Sequence, residues 1–345
     1  MQQVVIQPDF FSDLPDNVPL KDDAALMEHP WFSLSKTPRF EPIHYEKNGI
    51  SVKVEAGPAG MATIWDKEIL VYIASIINER IERGEPIDRT IRFVAYDFLV
   101  RTGRGTGKRA YDLMINSLKR LRSTMISTDI ESAHERERAG FGWIDDFHVL
   151  NRKDKNGKPV MVAVEVTISR WMFRALTIDR RVLTVDDEYF QIRKGLTKRL
   201  YEIARKHCGK QSEWTIGLEK LKTKCGVSAN RELFKFKHDM LKIQKENNLP
   251  RYTFEINKGK NTDVAVFKPR KKHPIITIDS QPNQQPKKLA ASINAMDKAR
   301  KKYPGFDVEY IEREWKLWAE EQSDPVKNPD QAFLGFCERY VSQQK

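Results

Sequence analysis

Arg231, Lys235, His238, Lys242 and Lys245 are spaced so that on a helix all five fall within an arc of about 80°. Leu233, Phe236, Met240 and Ile243 fall on the opposite side. Such a face makes no bonds. Its ammonium and guanidinium groups hold phosphate oxygens, and those that enter a groove read base edges. A solvated surface helix would have the same wheel. A second stretch, Lys108 to Arg122, sets Lys108, Arg109, Asn116, Lys119 and Arg120 against an apolar side of Tyr111, Met114, Ile115, Leu118 and Leu121. Arg109 suits guanine and Asn116 suits adenine, while Asp112 between them repels phosphate but can accept from cytosine. That unit serves equally well as a dimerisation module with incidental charge. Arg152, Lys153, Lys155 and Lys158 flank Asn156-Gly157, a hairpin turn signal. They either track a DNA backbone or sit on a solvated turn.

The 345 residues hold 60 Lys and Arg against 48 Asp and Glu, a net charge of +12. The surplus is concentrated. Residues 191–272 carry 22 basic against eight acidic residues, and residues 91–122 carry eight against two. Two separate basic centres point to a polyanionic partner. The longest apolar run, Ile69 to Ile77, falls well short of the roughly 18 residues of a membrane span, so no membrane partner is expected. MQQVVIQPDFF lacks a basic and then apolar leader pattern. Cys208, Cys225 and Cys337 lie far apart, which argues against a disulfide scaffold or zinc ribbon and fits the reducing cytoplasm.

The basic stretches need elements to carry them. Residues 62–83 read as a helix ended by Gly84. Thr90 reads as the cap of a second helix over IRFVAYDFLV, and Lys108–Arg122 as a third. Strands are expected at TMISTDIE, FGWIDDFHVLN and VMVAVEVTI, the last with Val160, Val162, Val164, Val166 and Ile168 on one face. Residues 190–207, ended by Gly209, then WTIGLEKLKTKCG and Asn230–Asn247 repeat the three helices. RYTFEI and DVAVFKP repeat the hairpin. Three helices followed by a hairpin is the order of a winged helix-turn-helix, whose third helix enters the major groove. The expected fold is α+β and helix-rich: two tandem winged-helix domains at 61–178 and 179–268. A proline-rich extended arm (1–60) precedes them. A linker (269–300) and a C-terminal helical hairpin (301–345) follow. The hairpin turns Ile311, Trp315, Trp318, Phe333, Phe336, Cys337 and Tyr340 inward. It either packs on itself or docks a partner.

Catalytic chemistry is not expected. Gly103-Arg104-Gly105-Thr106-Gly107-Lys108-Arg109 lacks the G-x-x-x-x-G-K spacing and has Arg109 where a phosphate loop has Ser or Thr for magnesium. The seven histidines are scattered, with no H-x-H or H-E-x-x-H for a metal. Asp145-Asp146 and Asp186-Asp187-Glu188 read as surface or helix-start charges. No nucleophile sits in a recognisable triad. The expectation is a non-enzyme with no cofactor and no metal.

Several long strings resemble the plasmid replication initiator protein A family: MEHPWFSLSKTP (27–38), WDKEILVYIAS (65–75), RFVAYDFL (92–99), GFGWIDDF (140–147), AVEVTISRWMFRAL (163–176) and YEIARKHCGKQSEWTIGLEKL (201–221). The tail, with Trp315, Trp318 and AFLGFCERY (332–340), is similar to the C-terminal element of those proteins. The resemblance implies a bacterial plasmid initiator that binds repeated duplex sites at an origin through tandem winged helices. It implies opening of the adjacent duplex, recruitment of host replication proteins, and repression at its own promoter, where an inverted repeat would be a second site. Self-association into a homodimer stays open. The competing function is a transcriptional repressor or partition-control protein. A nuclease or primase is the enzymatic alternative. The family carries no catalytic residues to transfer.

Overall fold

The computed structural model describes residues 18–47, 49–129, 139–153, 159–209, 211–260, 262–270, 293–303, 308–320 and 328–342. The chain separates into two compact units, 1–273 and 274–345.

The larger unit contains the same motif twice. In the first copy, helix α2 (Lys67–Glu82) is followed by β4 (Thr90–Val94), α3 (Ala95–Arg101), α4 (Lys108–Ser123) and the long strands β7 (Ile144–Lys153) and β8 (Pro159–Ile168). In the second, α6 (Gly195–Cys208) is followed by β10 (Trp214–Gly217), α7 (Leu218–Lys224), α8 (Leu233–Glu246), β11 (Tyr252–Asn257) and β12 (Val264–Pro269). Each copy closes a three-stranded sheet in equivalent order, β4-β8-β7 and β10-β12-β11.

The strands β4 and β10 correct the expectation of uninterrupted helices at IRFVAYDFLV and WTIGLEKLKTKCG. Both fall at the same place in the motif. In β4, Ile91 and Phe93 are buried and stand opposite Val166 and Val164 of β8. In β10, Trp214 stands opposite Phe267 of β12. The alternation of apolar and polar residues is too short to be told from a helical period until the partner strand is in place.

Residues 18–60 are not an arm. Strand β1 (Leu20–Asp23), helix α1 (Ala24–Glu28) and the hairpin β2 (Ile43–Lys47) and β3 (Ile50–Glu55) build into the body. β1 pairs with β9 (Val182–Val185), and β3 pairs with β5 (Met125–Thr128), which pairs with β6 (Ala139–Phe141). Trp31 is buried against Trp143 and Trp171, with ring centroids 5.7 Å away from each. Phe32 stacks on Trp143 at 4.8 Å. Pro58 stands in the turn closed by Gly57 and Gly60, just before buried Met61.

FGWIDDFHVLN, expected as one strand, divides. β6 belongs to the sheet of β5, and β7 to that of β8. The chain crosses between them at Gly142, where a Cβ would come within 2.8 Å of the Arg122 carbonyl oxygen. On β8, Val164, Val166 and Ile168 are buried as the alternation predicts. The side chains of Val160 and Val162 and the Asn156-Gly157 turn lie outside the described residues.

The two motifs share one core, which runs from Val18 to Phe267. The boundary expected at 178/179 therefore does not divide independent cores. A polar clamp is built on three successive residues at the start of α2, and two of them, Lys67 and Glu68, reach the second motif. Arg120 of α4 donates to both carboxylate oxygens of Asp66 at 2.7 Å. Lys67 Nζ lies 2.6 Å from Asp22 Oδ2 and 2.8 Å from Glu202 Oε1 of α6. Glu68 pairs with Lys198 of α6 and Arg104. Glu202 also accepts from Tyr189 at 2.7 Å and from Arg199 at 2.9 Å. Burial pushes the Asp22 carboxyl up to about 7 despite Lys67. Burial acts on Glu202 in the same sense, but Lys67 and Arg199 outweigh it and hold that carboxyl below its ordinary value. Of this carboxyl pair, then, Asp22 is the one raised above its ordinary value and Glu202 the one held below it.

The smaller unit comprises α9 (Ile293–Lys302), α10 (Val308–Glu320) and α11 (Pro329–Ser342). Its described part is three helices rather than the expected hairpin, because α9 falls inside the segment read as linker. Ala295, Ala299, Ile311, Trp315, Phe333 and Cys337 form its core. Trp318, expected inward, is 36% exposed and rests against Phe336 at 5.7 Å. Residues 271–292 of the expected linker lie outside the described residues.

Candidate nucleic-acid interface

The third helix of the second motif, α8, is amphipathic in the sense expected. Phe236, Met240 and Ile243 are buried, Leu233 packs against the same core, and Lys235, His238, Lys242 and Lys245 are exposed on the other side. The helix begins at Leu233 rather than Asn230. Arg231 therefore stands in the turn before it, where its backbone N–H bonds the Ser228 carbonyl at 3.1 Å. Its guanidinium bonds the Asp239 carboxylate one face away. Lys235 pairs with Glu232 at 2.7 Å. Lys242 and Lys245 remain as exposed cations along the second half of the helix.

Three contacts fix α8 on its scaffold. Lys222 of α7 donates to the Ala229 carbonyl at 3.0 Å, closing the turn between the helices. Lys237 donates to Asp263 at 2.6 Å, tying the helix to the start of β12. Asn247 ends the helix with φ of 48°, a left-handed residue, and its side-chain oxygen accepts from Arg270 at 2.8 Å. At the other end of β11, Lys258 and Lys260 are exposed in the hairpin turn. They were missed in the sequence, although NKGKN has the same basic turn chemistry as the first hairpin.

The first motif presents fewer free cations than its wheel suggests. Lys108 and Arg109 are exposed at the start of α4, and Asn116 and Lys119 are exposed farther along. Lys108 lies 3.7 Å from Asp112, one turn away. Arg120, expected on the DNA-facing side, bonds buried Asp66 through two guanidinium nitrogens and so belongs to the clamp. Helical angle places Arg120 at the edge of the basic arc but cannot show what stands opposite. Arg122, on the other hand, is exposed and lines an open concavity with Lys119, Pro58, Ile144 and Phe147. Arg152 and Lys153 end β7, with side chains outside the described residues, and Lys155 lies outside them altogether.

Arg120→Ala should therefore act on folding and not on DNA affinity. It leaves the Asp66 carboxylate buried, at a cost of about 1–3 kcal/mol in urea unfolding. The salt dependence of DNA binding should be unchanged. A flatter salt slope with unaltered stability would return Arg120 to the interface.

Among the described residues no group of three or more His, Cys, Asp or Glu could hold a metal ion. Among the described residues, too, no helix is long and apolar enough to cross a membrane.

This arrangement of helices and small sheets recurs in a solved structure of low sequence identity. Domains 2 and 3 of RctB superpose with a TM-score of 0.51 over 69% of this chain and 94% of theirs, at 14% identity, which shows a shared fold. The Pi initiator, solved in complex with iteron DNA, covers 66% of this chain and 100% of its own at 14% identity. Its TM-score of 0.43 is too low to define a common fold. A protein of Wigglesworthia glossinidia brevipalpis, whose name places it provisionally in replication, is 34% identical over 252 residues, 72% of this chain and 89% of that protein. The family model for Replication initiator protein A matches residues 21–254. The chain belongs to the Replication initiator protein A family.

Proposed function

We propose that the chain is a sequence-specific, duplex-binding plasmid replication initiator that acts without catalysing a reaction. Each helix–strand–helix–helix–hairpin motif is a winged helix, with α4 and α8 as the third helices. In this reading the chain occupies repeated sites at an origin, promotes opening of the adjacent duplex, recruits host replication proteins and works in the cytoplasm. The observation that carries it is α8. One face is locked into the core, the opposite face bears Lys235, His238, Lys242 and Lys245, and an exposed basic hairpin lies in the same motif. A third helix so mounted is the element that enters a major groove.

Footprinting of the full chain on DNA flanking its coding sequence tests the reading. Protection should fall on an array of direct repeats. A single protected inverted repeat would favour the repressor instead. Lys242→Ala and Lys245→Ala should each weaken binding to all sequences alike and reduce the log–log salt slope by about one. Loss confined to particular base substitutions would place these lysines on bases and not on phosphates. Nicking or primer synthesis on the same DNA with a divalent metal would refute the non-catalytic reading.

A further inference from the structure

Helix α8 carries two large apolar side chains on its solvent side. Phe234 is 64% exposed and Leu241 is 44% exposed. A lone apolar residue on a surface needs no explanation. These two share a row. Phe234, His238, Leu241 and Lys245 follow one another at spacings of four, three and four residues, within an arc of about 60°. The row borders Lys235 and Lys242, and the core has no need of it, because Phe236, Met240 and Ile243 already bury the other face. Phe234 and Leu241 line an open concavity on the helix.

The charges beside this row are partly cancelled. Arg231 is engaged by Asp239, Lys235 by Glu232, and Lys237 by Asp263. Around Phe234, then, the surface is apolar with balanced charge. Exposed cations without an acidic partner among the described residues return at Lys242 and Lys245, towards the C-terminal end of the helix. An occupant that fits is polyanionic along its edges and apolar at points between them. The major groove of duplex DNA has that character: phosphates line its rims, and every thymine projects a C5 methyl group into it. A second copy of this same face would bring like charges together, so complementarity favours DNA.

We infer that Phe234 and Leu241 read thymine methyl groups. Part of the site preference of α8 is then carried by apolar contact, alongside whatever hydrogen bonds the helix makes. This rests on the DNA-binding reading of α8 given above.

The probe is a set of duplex oligonucleotides spanning one footprinted site, with each thymine in turn replaced by deoxyuridine, which lacks only the methyl group. The full chain should lose about three- to ten-fold in affinity at one or two positions and little elsewhere. Phe234→Ala should bind the thymine and deoxyuridine duplexes equally at one sensitive position, and Leu241→Ala should do so at another. Both should keep the wild-type salt slope, since neither side chain meets a phosphate. A flat deoxyuridine profile for the unaltered chain would overturn the inference without any variant, even where the footprint itself stands. So would a Phe234→Ala protein that retains the full wild-type profile. If Phe234→Ala turned a dimer into a monomer and left the profile intact, the row would be a protein interface. Absence of any footprint would instead remove the DNA-binding reading beneath it.

Discussion

Between about 50 and 200 mM salt, affinity for the duplex site should fall by about 10³- to 10⁵-fold, a log–log slope near −5 to −9. The structure supplies the groups. Lys235, Lys242, Lys245, Lys258 and Lys260 are exposed on the second motif, and Lys108, Arg109, Lys119 and Arg122 on the first. At roughly −0.9 per phosphate neutralised, six to ten contacts yield that slope. The acidic partners of Lys108 and Lys235 are themselves on the surface, so both cations can exchange them for phosphates at small cost. Arg120 is excluded, because its partner is buried. Fluorescence anisotropy over a potassium chloride series measures the slope. A value shallower than about −3 would mean that only one motif touches DNA.

Removing Glu202 should be among the most damaging single substitutions to stability. Its carboxylate is buried and answers Lys67 at 2.8 Å, Arg199 at 2.9 Å and Tyr189 at 2.7 Å. Leucine at this position would leave buried Lys67 with Asp22 alone and buried Arg199 without its carboxylate, bonded to the backbone carbonyls of Met27, Glu28 and Lys224. Breaking a buried ion pair from one side costs about 3–5 kcal/mol, because the desolvated charge stays behind. Urea unfolding of Glu202→Leu should show that loss. An exposed pair such as Lys53–Glu55 should be worth no more than about 1 kcal/mol in the same assay. A loss below about 1 kcal/mol for Glu202→Leu would mean that water enters the clamp. The expected consequence for function is indirect: α6 and α2 belong to different motifs, so a loosened clamp misaligns α4 and α8.

Much of the fold could be read along the chain. The helices over Lys108–Arg122 and residues 233–246 repeat their apolar residues at the helical period, and their buried residues follow it, whereas α2 is legible as an apolar run and is buried all round from 67 to 78. The alternation at VMVAVEVTI marks β8 as clearly. Gly209, which ends α6 with φ of 49°, is a stop signal of the ordinary kind. β4, β10 and the break at Gly142 were less legible, since four or five residues do not distinguish the two periods and a crossover between sheets has no period. The packing of residues 18–60 was hidden for another reason. Prolines and acidic residues make the composition look extended, while the buried anchors, Leu20, Trp31, Phe32, Tyr45 and Val54, are scattered among them.

By itself, then, the amino-acid sequence determined the local amphipathic elements, the order of three helices and a hairpin in two basic blocks, and the family. Those depend on spacing within a dozen residues or on strings of matched residues. Which cations are free depends on partners far away in the chain. Arg120 and Lys119 are neighbours that both fall in the basic arc of the helical wheel, Arg120 at its edge. Asp66 lies 54 residues from Arg120 and takes it into the clamp, while Lys119 stays at the surface. The WDKE run at 65–68 looks like the polar start of a helix, and only folding brings Arg104, Arg120, Lys198 and Glu202 around it. Long-range pairing of charge is invisible to periodicity, because a wheel describes one helix and these partners lie outside it.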